Sequence, residues 1–258
     1  MKLCLDVGNS HIYGGVYDSG RVLLTFRRGT KAGSSSDEYG LFFRSVLREN
    51  GIDPNQVVEI ALCSVVPEAV YAISAACLKY FDIRPFILQA GVKTGLKIQY
   101  RNPLEVGSDR IANAIAGVGL FPGQNLIILD LGTATTLCAI GKDRSYRGGV
   151  ILPGLKMSMQ ALESGTSKLG SVEITRKEAC LGRTTASSIQ SGLYFGHLGA
   201  LREIMHRIQL EEFEGKRPKV IATGGFATLF GGTGLFDQIV QVLVLRGLLG
   251  VLEMNTAK

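Results

Sequence analysis

Two short loops in this chain combine residue types that bind phosphate groups and metal cations. They are Asp6-Val7-Gly8-Asn9-Ser10 and Asp130-Leu131-Gly132-Thr133-Ala134-Thr135, and each follows an apolar run. Glycine has no Cβ, so the backbone can approach a ligand closely, and the amide N–H groups and hydroxyls of such a loop can donate to phosphate oxygens. An aspartate that ends the preceding strand can hold a divalent cation, usually through water. The two loops therefore indicate phosphate and cation binding.

Neither loop matches the common nucleotide-binding motifs. No Gly-Lys-Ser/Thr ending is present, as a P-loop requires, and no Gly-x-Gly-x-x-Gly follows either apolar run. A third glycine-rich element contains Gly224-Gly225 after another apolar run, and we expect a helical stretch after it. Alone, such a pair is an ordinary turn. As the third element after two phosphate-type loops, it becomes a candidate site for the adenosine of a nucleotide.

The segments after the two loops repeat one pattern. A turn signal at residues 18–20 precedes a β-rich run at 22–26, and a turn signal at 141–144 precedes another at 148–151. Turn residues between short β-rich runs predict antiparallel hairpins. We further expect helices over residues 41–47, 69–81, 189–208 and 239–252, and strands over residues 57–63, 85–88 and 219–223.

These patterns predict an α/β protein with a duplicated fold. A single Asp-x-Gly after a strand is a common turn, but here two copies are separated by close to half of the 258 residues, and both continue as hairpins. We therefore expect two similar halves, residues 1–118 and 119–258, that face one another across a nucleotide cleft. Small ligands commonly bind in such clefts.

Composition narrows the class of protein. The chain is 46% hydrophobic but has no long uninterrupted apolar run, so we expect no membrane span. Its net charge of +6 is carried by scattered residues without interleaved aromatics, so we expect no nucleic-acid partner. Asp6 interrupts the apolar stretch that a signal peptide would need. We interpret the five cysteines as reduced core thiols of a cytoplasmic protein: Cys4, Cys63, Cys77, Cys138 and Cys180.

The two Asp-x-Gly loops and the later Gly-Gly element resemble the actin-like ATPase (ribonuclease H-like) superfamily of acetate and sugar kinases, heat-shock ATPases and actin. Within it, the chain is similar to the type III pantothenate kinases over about residues 3–250. The segments that carry this resemblance are Asp6 to Ser10, Tyr100 to Pro103 with Gly107 to Arg110, Asp130 to Ala134, and Gly182 to Thr185 with Ser191-Gly192. It implies an enzyme that uses ATP to phosphorylate pantothenate to 4′-phosphopantothenate, the first step of coenzyme A biosynthesis.

The resemblance assigns the catalytic base to Asp109. From its position before a run rich in small residues, Ser108 or Asp109 would also be a good helix N-cap, and the two roles are compatible. A kinase acting on an alcohol needs a group that orients the hydroxyl and accepts its proton, and an ordinary carboxylate suffices. Arg110 keeps that carboxylate ionised and suits the carboxylate of pantothenate.

Further roles follow from the same resemblance. ATP binding is expected at Asp6, Val7, Gly8, Asn9, Ser10, His11, Ile12, Tyr13, Thr133, Gly224 and Gly225. Substrate binding is expected at Tyr100, Gly107, Ser108, Asp109, Arg110 and Thr185. Asp130 would hold the K⁺ or NH₄⁺ ion that the family needs, and Asp6 would hold Mg²⁺ through water. Thr185 would contact substrate across the interface of a homodimer, although it could instead cap a helix.

The chain departs from the family's pattern at three positions. Ser10 replaces a frequent Thr, Ser108 replaces the usual Ala, and Thr184 replaces a common Asn. The methionine-bearing segment at residues 155–162 is similar to one that helps form the family's dimer, but a helix of this composition is more often part of the core than of an interface.

Two alternative functions share this fold. One is another small-molecule kinase or phosphatase of the superfamily, acting on a sugar, acetate or polyphosphate. The other is a non-catalytic accessory factor for transcription. The segment Gly107 to Arg110, together with Tyr100, favours pantothenate over other substrates. The presence of Asp6, Asp109 and Asp130 argues against a non-catalytic protein.

Overall fold

The structure is a computed structural model that describes residues 1–256 as two compact units. The strands are β1 (Lys2–Val7), β2 (His11–Asp18), β3 (Arg21–Gly29), β4 (Glu59–Ser64), β5 (Phe86–Ile87), β6 (Lys97–Ile98), β7 (Leu126–Leu131), β8 (Ala134–Ile140), β9 (Ser145–Pro153), β10 (Lys219–Thr223) and β11 (Gln238–Ile239). The α-helices are α1 (Ser36–Glu49), α2 (Pro67–Phe81), α3 (Ser108–Leu120), α4 (Leu155–Ser164), α5 (Thr185–Phe213) and α6 (Leu243–Thr256). Short 3₁₀ helices span Pro54–Gln56, Pro103–Glu105 and Ala227–Phe230.

The first unit contains a five-stranded sheet in the order β3-β2-β1-β4-β5. Ser19 and Gly20 adopt φ values of 47° and 77°, which suits the tight hairpin predicted between β2 and β3. β1 pairs antiparallel with β2 and parallel with β4. Alternate residues of β1 pack with Phe43 and Ile73 of α1 and α2 in one core, because successive strand residues face opposite sides of the sheet.

The second unit contains a six-stranded sheet in the order β11-β10-β7-β8-β9-β6. β7, β8 and β9 form an antiparallel meander, and β10 pairs parallel with both β7 and β11. The turn between β8 and β9 ends at Arg144, whose φ is 68°. Apolar residues of β7 and β10 pack against α4 and α5 in a second core.

The two sheets confirm the predicted duplication. Without its edge strand β6, the second sheet repeats the order and strand directions of the first, with three antiparallel strands followed by two parallel ones. β6 pairs only with β9 among the described strands. Its two residues have no sequence signal of their own, since the strand exists only through this long-range pairing.

The two units are not two continuous halves of the chain. The first unit comprises residues 1–95, 101–116 and those from 243 onward, and the second comprises residues 96–100 and 117–242. The C-terminal helix α6, predicted as a buried helix from residue 239, begins at Leu243 and belongs to the first unit. It packs so closely on α3 that a Cβ at Gly247 would overlap the backbone of Ala112.

Four of the five cysteines lie where the sequence predicted them, in the core. Cys4, Cys63, Cys77 and Cys138 are buried, as predicted, whereas Cys180 is exposed. The prediction of a core position is wrong for Cys180, because this residue lies in a segment before α5 that has neither helix nor strand to bury it. Among the described residues, no helix combines the length and the apolar character needed to cross a membrane.

Candidate active site

The first Asp-x-Gly loop connects β1 and β2. The Gly8 N–H donates to the carbonyl oxygen of His11 at 3.0 Å, which closes the turn. Thr30, just after β3, secures the loop because its Oγ1 donates to the Gly8 carbonyl at 2.7 Å and its N–H donates to the Ser10 carbonyl at 3.0 Å. Asn9, Ser10 and His11 remain exposed, so their polar groups can reach a ligand.

Asp6, near the end of β1, has a buried hydrogen-bond donor beside it. It lies opposite Cys63 in the parallel register with β4, and the Cys63 thiol donates to Oδ1 of Asp6 at 3.2 Å. Loss of hydration, followed by the charges of Asp6 and Asp109, raises the pKa of the Cys63 thiol well above its usual range. The thiol therefore stays protonated as a donor. The Val65 N–H donates to the Val7 carbonyl at 3.1 Å, and a Cβ at Gly107 would lie 3.7 Å from Cγ1 of Val65, so the segment that carries Asp109 lies at the same edge of the sheet as Asp6.

Asp109 lies in the first turn of α3, where a negative charge interacts favourably with the helix dipole. Its Oδ1 accepts from the backbone N–H of Arg110 at 2.8 Å. A Cβ at Gly107 would lie 2.5 Å from the same oxygen, so this carboxylate position requires glycine there. Burial raises the pKa of the Asp109 carboxyl, while the backbone hydrogen bond and charge of Arg110 oppose the rise. A partly dehydrated carboxylate is a stronger proton acceptor than a fully hydrated one.

Ser108 joins the start of α3 to the end of β4. Its Oγ accepts from the Ser64 N–H at 3.1 Å and donates to the Ser64 carbonyl at 3.0 Å. The hydroxyl therefore does not cap the helix, and Asp109 occupies the first turn instead of the cap position. The N-cap role that we considered for these two residues is wrong, because α3 already begins at Ser108.

In the second unit, the Gly-Gly element lies directly against the second Asp-x-Gly loop. Asp130 is opposite Thr223 in the parallel register of β7 and β10. Gly224 follows with a φ of +90°, and a Cβ there would lie 2.6 Å from Oδ1 of Asp130. The Phe226 N–H donates to the Leu131 carbonyl at 3.1 Å. Two glycine-rich elements that are distant in the sequence thus form one backbone surface beside Asp130.

Gly154, which was not among the residues predicted from the sequence, also lies at this surface. The Gly132 N–H donates to the Ala134 carbonyl at 3.1 Å, which closes the second loop. Gly154, the N-cap of α4, lies so near that a Cβ there would overlap the carbonyl oxygens of Gly132 and Thr133. The Pro-Gly pair before an apolar helix was visible in the sequence, but its contact with the loop depends on the pairing of β8 with β9. Cys63 and Thr30 were missed for the same kind of reason.

Tyr100 and Thr185 both lie in the second unit. Tyr100 follows β6, and its ring centroid lies 6.3 Å from that of Tyr146. Thr185 is the exposed first residue of α5, while the helix is capped by Thr184, whose Oγ1 accepts from the Ser187 N–H at 3.1 Å. The alternative role of Thr185 as a cap is therefore wrong. Thr184 stands where the family commonly has Asn, and threonine is also a good capping residue.

The remaining residues predicted to bind ATP form a buried group and an exposed group. Val7, Ile12 and Tyr13 are buried, so any nucleotide contact there would use backbone atoms. Thr133 and Gly225 are exposed. Among residues 1–256, no three His, Cys, Asp or Glu side chains group closely enough to hold a metal ion.

Comparison with known proteins identifies the family. The family model described as type III pantothenate kinase matches residues 2–207. A protein described as type III pantothenate kinase from Legionella pneumophila (strain Corby) is 56% identical over 257 residues, which cover 100% of both chains. The chain belongs to the type III pantothenate kinase family. The predicted resemblance and the kinase class are thereby confirmed.

Solved structures support the fold of this family member. A Campylobacter jejuni protein, described as of the Baf family of transcriptional activators, has a TM-score of 0.63 at 18% identity, with 98% of each chain covered. A Sinorhizobium meliloti protein, described as a 2-dehydro-3-deoxygalactonokinase, has a TM-score of 0.62 at 11% identity, with 100% of each chain covered. At these identities the likeness shows the fold alone. Together with the sheet order, it confirms the actin-like ATPase fold.

Gly107→Ala should lower the turnover number of this kinase by about 10²-fold, because the new Cβ would displace the Asp109 carboxylate and misplacements of about 1 Å have effects of this size. Coupled ADP release with pantothenate, at saturating ATP, measures it. Gly119→Ala is the matched control in α3, since a Cβ there meets no atom within 4 Å. Wild-type turnover in Gly107→Ala would contradict the role of Gly107.

Proposed function

We propose that this chain transfers the γ-phosphoryl group of ATP to the primary hydroxyl of pantothenate, giving 4′-phosphopantothenate and ADP in the first step of coenzyme A biosynthesis. Family membership supports the choice of substrate. The observation that carries the chemistry is the placement of Asp109 at the start of α3, with its carboxylate oriented by Gly107 and Arg110 and its pKa raised by burial.

Asp109 accepts the proton of the pantothenate hydroxyl in this proposal. The oxygen–phosphorus bond forms as the bond from the γ-phosphorus to the bridging oxygen of ADP breaks, and the hydroxyl proton passes to the carboxylate. The transition state of phosphoryl transfer is loose, so positioning matters more than base strength. Arg110 binds the carboxylate of pantothenate, for which a guanidinium is well suited. We assign further substrate contacts to Tyr100, Gly107, Ser108 and Thr185.

ATP enters this scheme as its Mg²⁺ complex. We assign its phosphates to the first loop, Asp6 to His11, and to Thr133, and its adenosine to Gly224 and Gly225. Exposed polar groups in the first loop and the open space at the Cβ position of exposed Gly225 fit these roles. Mg²⁺ usually binds through phosphates, waters and one or two carboxylates, so Asp6 can hold it through water without a dedicated cluster of protein ligands.

Asp130 is our proposed ligand for a monovalent cation, K⁺ or NH₄⁺. Its Oδ1 lies against Gly224, and only a residue without a Cβ lets the backbone pass this close to the carboxylate. A carboxylate is a hard oxygen donor of the kind that such cations prefer. A bound cation would supply positive charge next to the phosphate-binding loop.

We also propose a cytoplasmic homodimer, from the family resemblance together with an exposed apolar surface in the second unit. Only Leu155 and Met159 of α4 are buried, whereas Ile151 and Met157 are 61% and 43% exposed. The expectation that α4 could be an ordinary core helix therefore fits poorly with its exposure. On the neighbouring helix α5, Gly196 is exposed with open space at its Cβ position, which would let a partner helix approach closely.

A role in transcription is the competing proposal, and the description of the Campylobacter jejuni structure is its only support. Coupled ADP release with and without pantothenate distinguishes the proposals. Turnover that needs pantothenate supports the kinase, pantothenate-independent turnover favours another kinase or phosphatase, and no turnover with Mg²⁺ and K⁺ present favours the accessory factor.

Asp109→Asn should lower turnover by about 10²- to 10⁴-fold, because the amide cannot accept the hydroxyl proton. Nucleotide binding, measured by calorimetry, should change little. Asp82→Asn is the control, since Asp82 is exposed and its left-handed backbone tolerates asparagine. Full turnover in Asp109→Asn would exclude the proton-acceptor role.

In the wild type, the acid limb of the pH profile of kcat/KM should report a pKa above the usual range of aspartate, because activity is lost as the pH falls through the raised pKa of Asp109.

Asp130→Asn should raise the K⁺ concentration for half-maximal activity by about tenfold or more, because one formal charge of the site is lost. Titration of K⁺ at constant ionic strength, with Na⁺ as the replacement ion, measures it. An unaltered K⁺ dependence in a folded variant, or full wild-type activity in Na⁺ alone, would remove the proposed cation site.

Met157→Glu should shift the protein from dimer to monomer in sedimentation velocity, because a charge would be buried without a partner. Leu78→Glu is the control, since Leu78 on α2 of the first unit is similarly exposed, at 50%. If both variants keep the mass of a dimer, the dimer does not use this surface. A monomeric wild type would exclude the dimer itself.

A further inference from the structure

A buried histidine lies behind the second Asp-x-Gly loop. His197, on the inner face of α5, is 9% exposed, and its Nε2 lies 3.0 Å from Oγ1 of Thr135. Its ring stacks on Phe230, with centroids 5.8 Å apart and planes 27° apart. The surrounding core is apolar and includes Leu198 and Leu201 on the same helix. A leucine here could fill similar space, so packing alone does not account for a polar ring.

Thr135 connects this histidine to the loop. It is 1% exposed and lies opposite Leu131 in the β7–β8 register, with Gly132, Thr133 and Ala134 between the two. Its side chain therefore lies at the base of the loop, where the backbone turns from β7 into β8. A hydroxyl fixed at this point restricts the torsions of the strand that leaves the loop.

Burial lowers the pKa of His197, so the ring is neutral at neutral pH. A neutral imidazole has one donor and one acceptor nitrogen, and Nε2 can play either part toward a hydroxyl. Removal of either partner would leave the other as a buried polar group without a hydrogen bond, and such a group carries its full desolvation penalty. The pair therefore favours one arrangement of the strand over nearby alternatives.

We infer that His197 is a positioning residue for phosphoryl transfer, which holds Thr135 and thereby fixes the position of Thr133 in the second loop relative to the phosphates of ATP. The inference rests on the proposed assignment of Thr133 to ATP. His197 itself touches neither substrate nor reacting atoms. A loop that is already fixed before the ligand binds contributes to affinity, because less conformational entropy is lost on binding.

The test uses paired removal and rescue variants of the full chain. His197→Leu and Thr135→Val remove the hydrogen bond with little change in volume, whereas His197→Gln and Thr135→Ser keep polar partners. We expect both removal variants to raise the ATP dissociation constant and the KM for ATP by about tenfold, the size expected for one buried hydrogen bond. The KM for pantothenate should stay within about twofold, and the rescue variants should recover most of the loss. The double variant should be no worse than either single variant.

Stability must be separated from positioning. Ile208→Val removes one buried methyl group elsewhere on α5 and should lower the melting temperature without changing ATP affinity. If the removal variants only lower the melting temperature, or raise both KM values equally, the inference is overturned. ATP affinity is measured directly by calorimetry, so it does not depend on turnover. A wild type that binds ATP but does not phosphorylate pantothenate would defeat the proposed function and leave this inference testable.

Discussion

Parallel pairing of β1 with β4, and of β7 with β10, is the constraint on which both polar clusters depend. Asp6 lies in register with Cys63, and Asp130 lies in register with Thr223. Parallel strands end at the same edge of a sheet, so the segments after β4 and β10 are brought to these aspartates from distant parts of the chain. A slip of one residue would turn each aspartate to the opposite face and leave the clusters unformed.

Around these aspartates, the missing side chains of glycine decide the geometry as much as the polar groups do. Gly107 leaves room for Oδ1 of Asp109, and Gly224 leaves room for Oδ1 of Asp130. Buried carboxylates are costly unless they are hydrogen-bonded or charged groups compensate them. Close backbone approach allows amide groups to supply that compensation, as the Arg110 N–H does for Asp109.

Much of this architecture was predictable, because its signals are local. The strand β10 matches its predicted range, and both hairpins turn where glycine, serine, aspartate and arginine residues signalled a turn. At the candidate site, the positions of Asp6 and Gly107 to Arg110 were predictable because their motifs recur in a family, and their roles stay predictions. Three features could not be predicted from the sequence. The Cys63 donor and the Gly154 contact depend on residues that only the folded chain brings together. The cap at Thr184 depends on a shift of one residue in the start of the helix. The edge strand β6 belongs to the same group.

The membership of α6 in the first unit has a consequence for synthesis on the ribosome. Chains emerge from the N-terminus, and domains generally fold as units when their residues are available. The second unit ends at residue 242, so all of its residues emerge before α6 does. The first unit, whose strands are synthesised before the second unit, lacks the helix that packs on β1 and α3 until residues 243–256 have followed the second unit. The nascent chain therefore carries the first sheet without its packing helix α6 while the second unit is synthesised, and chaperone dependence would be concentrated there.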